Sequence, residues 1–416
     1  MSKEYLISVQ DVIDNLVNIK QIVFEVTDAC NLKCKYCAFG EFYELDQPRE
    51  NRSLQPNKAI KLIDYMAEFW SKYQPESYRP LTYIGFYGGE PLMNIDFIKQ
   101  TVEYVESRNL NREFRFSMTT NALLLDRYMD YLAEKRFSVL ISLDGDEYGD
   151  SYRVDHSGNN SFSRVIRNVK MLQSRHPDFF EKSVNFNSVL HNRNSVEAIH
   201  SFIKEEFGKS PKISELSTTG IRSDKAEEFS HTFKNKFESL LDSENYEQLS
   251  DELFLEEPTT GDLLLFLHQY SGNVFMSYNE LFFDKEKLPR SITGTCRPFA
   301  RKLFVTASGK IMQCERIDHK FFLGEVTDEG VKLDLENVAR IYNGYTSKFS
   351  TQCNVCYRRE SCIQCLYFIE DIDGVSPICR GFMNKENFER FRSHCLGHLA
   401  KNPHLYQKIM TKVQVN

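Results

Sequence analysis

Residues 21–37 read QIVFEVTDACNLKCKYC, a β-rich apolar run that ends at Asp28 and passes into a loop carrying Cys30, Cys34 and Cys37. Val, Ile and Phe crowd the first seven positions, which predicts a short buried strand. The three thiols that follow are spaced C-x3-C-x2-C, with no fourth cysteine nearby. A fully ligated 4Fe-4S cluster takes four protein thiolates, so three leave one iron open to chelate another molecule. Three cysteines can equally be half of a zinc site.

Outward from this segment, short β-rich runs alternate with amphipathic stretches up to about residue 220. The further strands are YIGFYGG from Tyr83, FRFSMTT from Phe114, SVLISLDG from Ser138, VNFNSVL from Val184 and ISELSTT from Ile213. Six such βα units predict a parallel sheet. Between them, Ile60, Ile63, Ala67 and Trp70 form one helical stripe, and Phe162, Val165, Val169 and Leu172 another; both read as core. In arrays of this kind the reactive groups come from the C-terminal ends of the strands, where the cysteine loop falls.

The chain has 416 residues, which suits one large domain with one or two smaller ones. Lys and Arg number 52 against 59 Asp and Glu, a net charge of -7 that gives no basic footprint for nucleic acid or anionic lipid. Neither nucleic acid nor membrane is an expected partner. The first residues hold no apolar signal core, no later run is long enough to span a bilayer, and a cytoplasmic location is expected. Eleven cysteines at short spacings in such a chain suit metal better than disulfides. The organisation read from the sequence is an N-terminal extension over 1–20, a barrel-like domain over 21–225, an acidic helical bridge over 226–290 broken at Pro258 and Gly261, and a Cys-rich part over 291–416. That last part holds eight of the eleven cysteines and begins with a hairpin, LFVTASGKIMQC, turning at Ser308-Gly309.

The C-x3-C-x-aromatic-C motif after a first strand, with Tyr36 in the aromatic position, resembles the signature of the radical S-adenosylmethionine (SAM) superfamily. The resemblance implies a partial (β/α)6 TIM-like barrel, an α/β fold, and a cluster whose open iron binds the amino and carboxylate groups of SAM. It further implies that the YGGEP segment contacts SAM. Gly88 and Gly89 would let backbone approach the ligand, and Glu90, followed by Pro91, would meet its ammonium. The SLDG segment would supply Ser142 and Asp144, with Ser142 reaching the ribose or carboxylate and Arg153 pairing with the carboxylate. Thr119, Thr120 and Asn121 read either as polar liners of the same pocket or as a Thr-rich strand end with an Asn turn. Asp28 and Asp144 also have plain readings as cap or turn residues.

The later cysteines, Cys296, Cys314, Cys353, Cys356, Cys362, Cys365, Cys379 and Cys395, are similar in order to the SPASM domain, a C-terminal iron–sulfur extension with two auxiliary 4Fe-4S clusters. By that resemblance Cys353, Cys356, Cys362 and Cys379 hold the outer cluster, and Cys296, Cys314 and Cys365 the inner one, whose fourth position is either Cys395 or open. Two residues separate the last paired cysteines where the family more often has three. A zinc module is the alternative for the C-x2-C pairs. The implied activity is that of a radical SAM oxidoreductase with three 4Fe-4S clusters. It would cleave SAM to a 5'-deoxyadenosyl radical and install a thioether, ether or carbon–carbon cross-link in a ribosomally made precursor peptide. Its electrons would come from an external donor such as flavodoxin or ferredoxin. Glu315, next to Cys314, is the candidate acid or base, against a plain reading as a solvated glutamate. Residues before Gln21 are too few for a complete peptide-recognition domain, so leader binding is expected on another surface. Sulfatase maturation, in which a Cys or Ser is oxidised, and a non-catalytic metal-binding scaffold are the alternative functions.

Overall fold

The computed structural model describes residues 6–44, 49–254, 258–270, 293–359 and 362–412. They fall into two compact units, Val12–Leu253 with Pro298–Leu335, and the described residues within Met1–Asp11, Phe254–Arg297 and Glu336–Asn416. Among the described residues no helix is long and apolar enough to cross a membrane.

The larger unit is built on six parallel strands in sequential order: β1 (Gln21–Thr27), β2 (Leu81–Gly88), β3 (Glu113–Thr120), β4 (Ser138–Ser142), β5 (Val184–Leu190) and β6 (Lys212–Glu215). Ile22, Phe24 and Val26 of β1 are wholly buried, as the apolar run requires of a strand covered on both faces. The hairpin at Ser308-Gly309 forms as expected. Its first strand, β7 (Leu303–Val305), lies parallel to β1 and continues the same sheet through β8 (Lys310–Met312), β9 (Gly324–Val326) and β10 (Val331–Lys332), all antiparallel. Residues 298–335 thereby complete the larger unit rather than open the second one.

Helices Pro56–Lys72, Ile95–Ser107, Leu125–Glu134, Phe162–Arg175 and Val196–Phe207 join the parallel strands. The face of Pro56–Lys72 that is buried centres on Ala59, Leu62, Ile63, Met66 and Trp70, so Ile60 and Ala67 sit at its margin. The buried stripe therefore runs through Leu62 and Met66 and not through Ile60 and Ala67. In Phe162–Arg175 the stripe holds at Val165, Val169 and Leu172. Between the sheet and its helices runs a ladder of rings: Phe97 lies 5.7 Å from Phe24 and 6.4 Å from Phe86, and Phe137 lies 5.9 Å from Phe86 and 5.5 Å from Phe116. Val196–Phe207 starts on a Ser195 cap to the Ala198 N–H and stops at Gly208, whose φ of 69° is left-handed.

Residues 226–253 are helical, as the acidic bridge predicts, and pack in the larger unit. Pro258 and Gly261 do not break a helix. Pro258 is its first residue, where a missing N–H costs nothing, and Gly261 lies within Pro258–Tyr270. The remainder of the bridge, 271–290, lies outside the described residues.

Phe97 joins two strands from a fully enclosed position. Phe97→Ala is expected to lower the unfolding free energy by about 3–5 kcal/mol in chemical denaturation; a loss no larger than that of a surface substitution would contradict this packing.

Candidate active site

Four of the six parallel strands end in polar residues, Thr27, Thr120, Ser142 and Glu215, and the cysteine loop follows the first of them. Cys30, Cys34 and Cys37 are free, half-buried thiols. Burial pushes the Cys34 thiol up to about 12 against the pull of the Arg153 guanidinium, and Cys37 and Cys30 raise it further. Burial likewise raises Cys30, whose thiol also feels Glu90 and Cys37. The three therefore share one small volume. The loop is pinned by backbone bonds from Lys33 N to Val154 O (2.7 Å) and from Lys35 N to Tyr152 O (3.1 Å). It also rests on an aromatic cluster of Tyr36, Phe42, Tyr43, Tyr152 and Phe229.

The positions that side chains would take at Gly88 and Gly89 are filled by the chain itself. A Cβ on Gly88, whose φ is 137°, would stand 2.1 Å from the Thr27 carbonyl oxygen, and one on Gly89 would stand 1.9 Å from that of Ala29 and 2.9 Å from Cys30 N. Glu90, expected to meet an ammonium, is wholly enclosed. Its Oε1 accepts from Leu92 N (3.1 Å) and the Thr120 hydroxyl (2.7 Å), and its Oε2 accepts from Asn121 N (2.7 Å). Burial nevertheless pushes its carboxyl up to about 7. Glu90 is thus an internal clamp between the ends of β2 and β3, and Pro91 is the buried first residue of a short 3-10 turn that it caps.

A second enclosed network lies under the cysteine loop. The Asp144 carboxylate accepts from the Tyr36 hydroxyl, from Arg153 Nε (3.0 Å) and Nη2 (3.4 Å), and from Val189 N (2.8 Å). Burial would raise Asp144, but the Arg153 guanidinium, with His191 and Tyr36, holds it below the usual carboxylate range. Asp150 lies 3.5 Å from Arg153 and is pushed up by burial, with Asp144 adding its charge. Arg153, expected to pair with a ligand carboxylate, therefore has two internal carboxylates as partners and is buried. Ser142 ends β4, half-buried, opposite Asn187 of β5.

Sequence reading missed His191, which follows β5, is fully enclosed, stacks on Tyr36 at 5.4 Å and stands 3.9 Å from Asp144 Oδ2. The signal was the polar run HNRN at a strand end.

On the other side of β1, Glu315 pairs with Lys302 at 2.8 Å. Burial works to raise its carboxyl, but the Lys302 ammonium holds it below the usual range, so it is a partly buried, ionised group and not a solvated one. Burial lifts Tyr87 to about 12, with the charges of Glu315 and Cys37 contributing. Cys314 is half-buried beside Glu315.

In the smaller unit burial lifts Cys353 to about 12, with the charges of Cys362, Cys379 and Cys356 adding to it, and burial raises Cys379 beside Cys362 and Cys356. Met383 N donates to Cys356 Sγ (3.4 Å), and Gln352 bridges the Cys379 N–H and the Pro377 carbonyl. Cys296 and Cys365 are neighbours, tied through Thr295, whose hydroxyl accepts from Leu366 N (2.8 Å). Cys395 does not join either group. It is buried among Phe254, Leu263, Phe266, Leu267 and Ile409, an apolar setting that suits a core thiol.

Thiolates are the donors an iron–sulfur cluster takes, and Cys30, Cys34 and Cys37 fall within one eight-residue loop. Each iron takes one thiolate, so the donors surround a volume instead of one point. Among the described residues no three His, Cys, Asp or Glu converge as a single-ion site. Residues 24–205 match the radical SAM superfamily. That family implies SAM and a 4Fe-4S cluster. The chain is 24% identical over 381 residues to the radical SAM cyclopropyl synthase TigE of Paramaledivibacter caminithermalis, covering 88% of this chain and 69% of that enzyme. It is 28% identical over 194 residues to the cysteine-type anaerobic sulfatase-maturating enzyme of Clostridium novyi, covering 45% of this chain and 49% of the relative, about half its length. Native anSMEcpe with bound AdoMet aligns with a TM-score of 0.60 at 17% identity over 94% of this chain and 99% of that one. The same protein with AdoMet and the Cp18Cys peptide also gives 0.60, at 17% identity over 95% of this chain and 99% of that one. The likeness to these structures is one of fold: an α/β unit with a largely parallel sheet.

The buried ion pair gives a direct test of the network. Asp144→Ala leaves the Arg153 charge enclosed beside Asp150 alone and is expected to cost about 3–5 kcal/mol in thermal or chemical unfolding. An unchanged unfolding curve would contradict the geometry.

Proposed function

We propose that this chain is a radical SAM peptide maturase that uses three 4Fe-4S clusters to install a cross-link, by a thioether, ether or carbon–carbon bond, in a ribosomally made precursor peptide. The observation that carries the reading is the presence of two separate thiol groups, one at the C-terminal edge of the parallel sheet and one of four in the smaller unit. SAM cleavage alone needs only the first. A reaction that leaves an electron on its substrate after bond formation needs an acceptor as well. The alignment with a cyclopropyl synthase, extending over 88% of the chain, supports bond formation as the outcome.

In this reading Cys30, Cys34 and Cys37 hold the cluster whose fourth iron binds SAM. When bound, these groups supply one-electron cleavage of a carbon–sulfur bond and the radical that abstracts a substrate hydrogen. The chain's own part is placement. The glycine pair sets the cysteine loop against β2, the Glu90 clamp fixes the ends of β2 and β3, and the Tyr36–Asp144–Arg153 network supports the loop from beneath. Ser142 and the backbone at Gly88–Gly89 are the groups left to meet SAM. Glu315, kept ionised by Lys302, takes the proton released by the substrate. Cys353, Cys356, Cys362 and Cys379 hold one auxiliary cluster, and Cys296 and Cys365 contribute to another; the assignment of Cys314 to it rests on the resemblance alone. Flavodoxin or ferredoxin is the electron donor this chemistry calls for. Sulfatase maturation is the second reading, favoured by the Clostridium novyi match, which is confined to less than half of this chain.

The test is an anaerobic reaction of the reconstituted, reduced chain with SAM and a peptide encoded beside its gene, followed by mass spectrometry. The peptide is expected to lose two hydrogens as 5'-deoxyadenosine forms. Replacing Cys30, Cys34 and Cys37 by Ala should abolish both and leave the iron of the smaller unit in place. SAM cleavage persisting in that variant would refute the assignment, and an aldehyde in a Cys-containing sulfatase peptide would favour the second reading.

A further inference from the structure

The end of β3 carries two features that SAM cleavage as described does not use. Ala122 adopts a φ of 61°, a left-handed conformation that an alanine rarely takes. It is held there by its own N–H donating to the Thr120 hydroxyl (3.0 Å) and by Asn168 Nδ2 donating to its carbonyl (3.0 Å). The bend aims the preceding side chain, Asn121, which is 7% exposed, at the cysteine loop.

The orientation of that amide is fixed by its neighbours. Asn121 N donates to Glu90 Oε2 (2.7 Å), and Asn121 Oδ1 accepts from Leu123 N (3.1 Å). A backbone N–H can be received only by the oxygen, so the NH2 group must face the other way. There it donates to Asn31 Oδ1 (2.7 Å) and to Cys30 Sγ (3.9 Å). Leu32 N also donates to this sulfur, at 3.4 Å.

We propose that Asn121 is a positioning residue for the cluster: with its backbone held by Glu90 and its amide oriented by Leu123 N, it gives Cys30 Sγ a side-chain N–H that favours the reduced state. The proposal rests on Cys30 being a cluster ligand. A hydrogen bond to a ligating sulfur stabilises the extra negative charge of the reduced cluster and raises its potential, most of all where water is excluded. Such a bond eases the electron transfer that SAM cleavage demands. The Leu123 N–H keeps the amide from turning away, and the buried Glu90 holds the backbone from which it projects.

The test uses the full-length reconstituted chain and the electron paramagnetic resonance signal that changes when SAM is added. In Asn121→Ala the midpoint potential of that signal is expected to fall while iron per chain is retained. Asn121→Asp keeps the acceptor for Leu123 N and serves if the alanine variant loads poorly; its potential should fall further because it adds charge. In wild type labelled with 15N-asparagine, a hyperfine coupling to the SAM-responsive cluster is expected, lost in Asn121→Asp. An unshifted potential in Asn121→Ala, or no asparagine coupling in wild type, overturns the proposal even if the variants fold badly. A wild type with no SAM-responsive signal overturns the cluster assignment itself, and the proposal falls with it.

Discussion

The site depends on the contact of two backbones. Where β2 ends, Gly88 and Gly89 lie so close to Thr27, Ala29 and Cys30 that any side chain would collide with a carbonyl oxygen. Gly89 N donates to Thr27 O (2.9 Å) and Glu90 N to Ala29 O (2.9 Å), so the approach is also hydrogen-bonded. The cysteine loop is therefore not a free flap at a strand end. It is a third layer on the sheet edge, held at its start by β2 and farther along by residues 152–155. A cluster held by three thiolates asks for such fixity, since each ligand must stay in place while one iron stays open.

Charge is handled in the same way. Two carboxylates at strand ends, Glu90 and Asp144, are withdrawn from water and surrounded by donors. Glu90 receives neutral N–H and O–H groups, and burial leaves it easily protonated; Asp144 receives a guanidinium, which holds it ionised. Buried groups of this kind add little stability relative to apolar packing, but breaking one partner is costly, which favours a single arrangement of the loop above them. The third carboxylate, Glu315, differs by remaining partly exposed, with Lys302 as its counter-ion. Of the three, only Glu315 keeps part of its surface in contact with solvent.

The cysteine loop, the GGEP turn and the six strands were legible because each is a local pattern: thiol spacing, paired glycines and apolar runs of strand length. The roles of Glu90 and Arg153 were not, because their partners lie far along the chain. Thr120 is thirty residues from Glu90, and Asp144 takes its donors from Tyr36, Arg153 and Val189. Cys395 was assigned to metal by residue type, although Phe391 and Leu399, four residues to either side, already placed it on an apolar helical face. Pro258 reads as a break in the sequence but opens a helix, because proline is tolerated in a first turn. Local chemistry picks out the candidate groups; long-range packing decides which of them point inward.

Anaerobic reconstitution with iron and sulfide, reduction, and addition of SAM tests the central claim most directly. About twelve irons per chain, with matching sulfide and release of 5'-deoxyadenosine, is the result expected of three four-iron clusters, one of them cleaving SAM. Zinc in place of iron, with no 5'-deoxyadenosine, would contradict it.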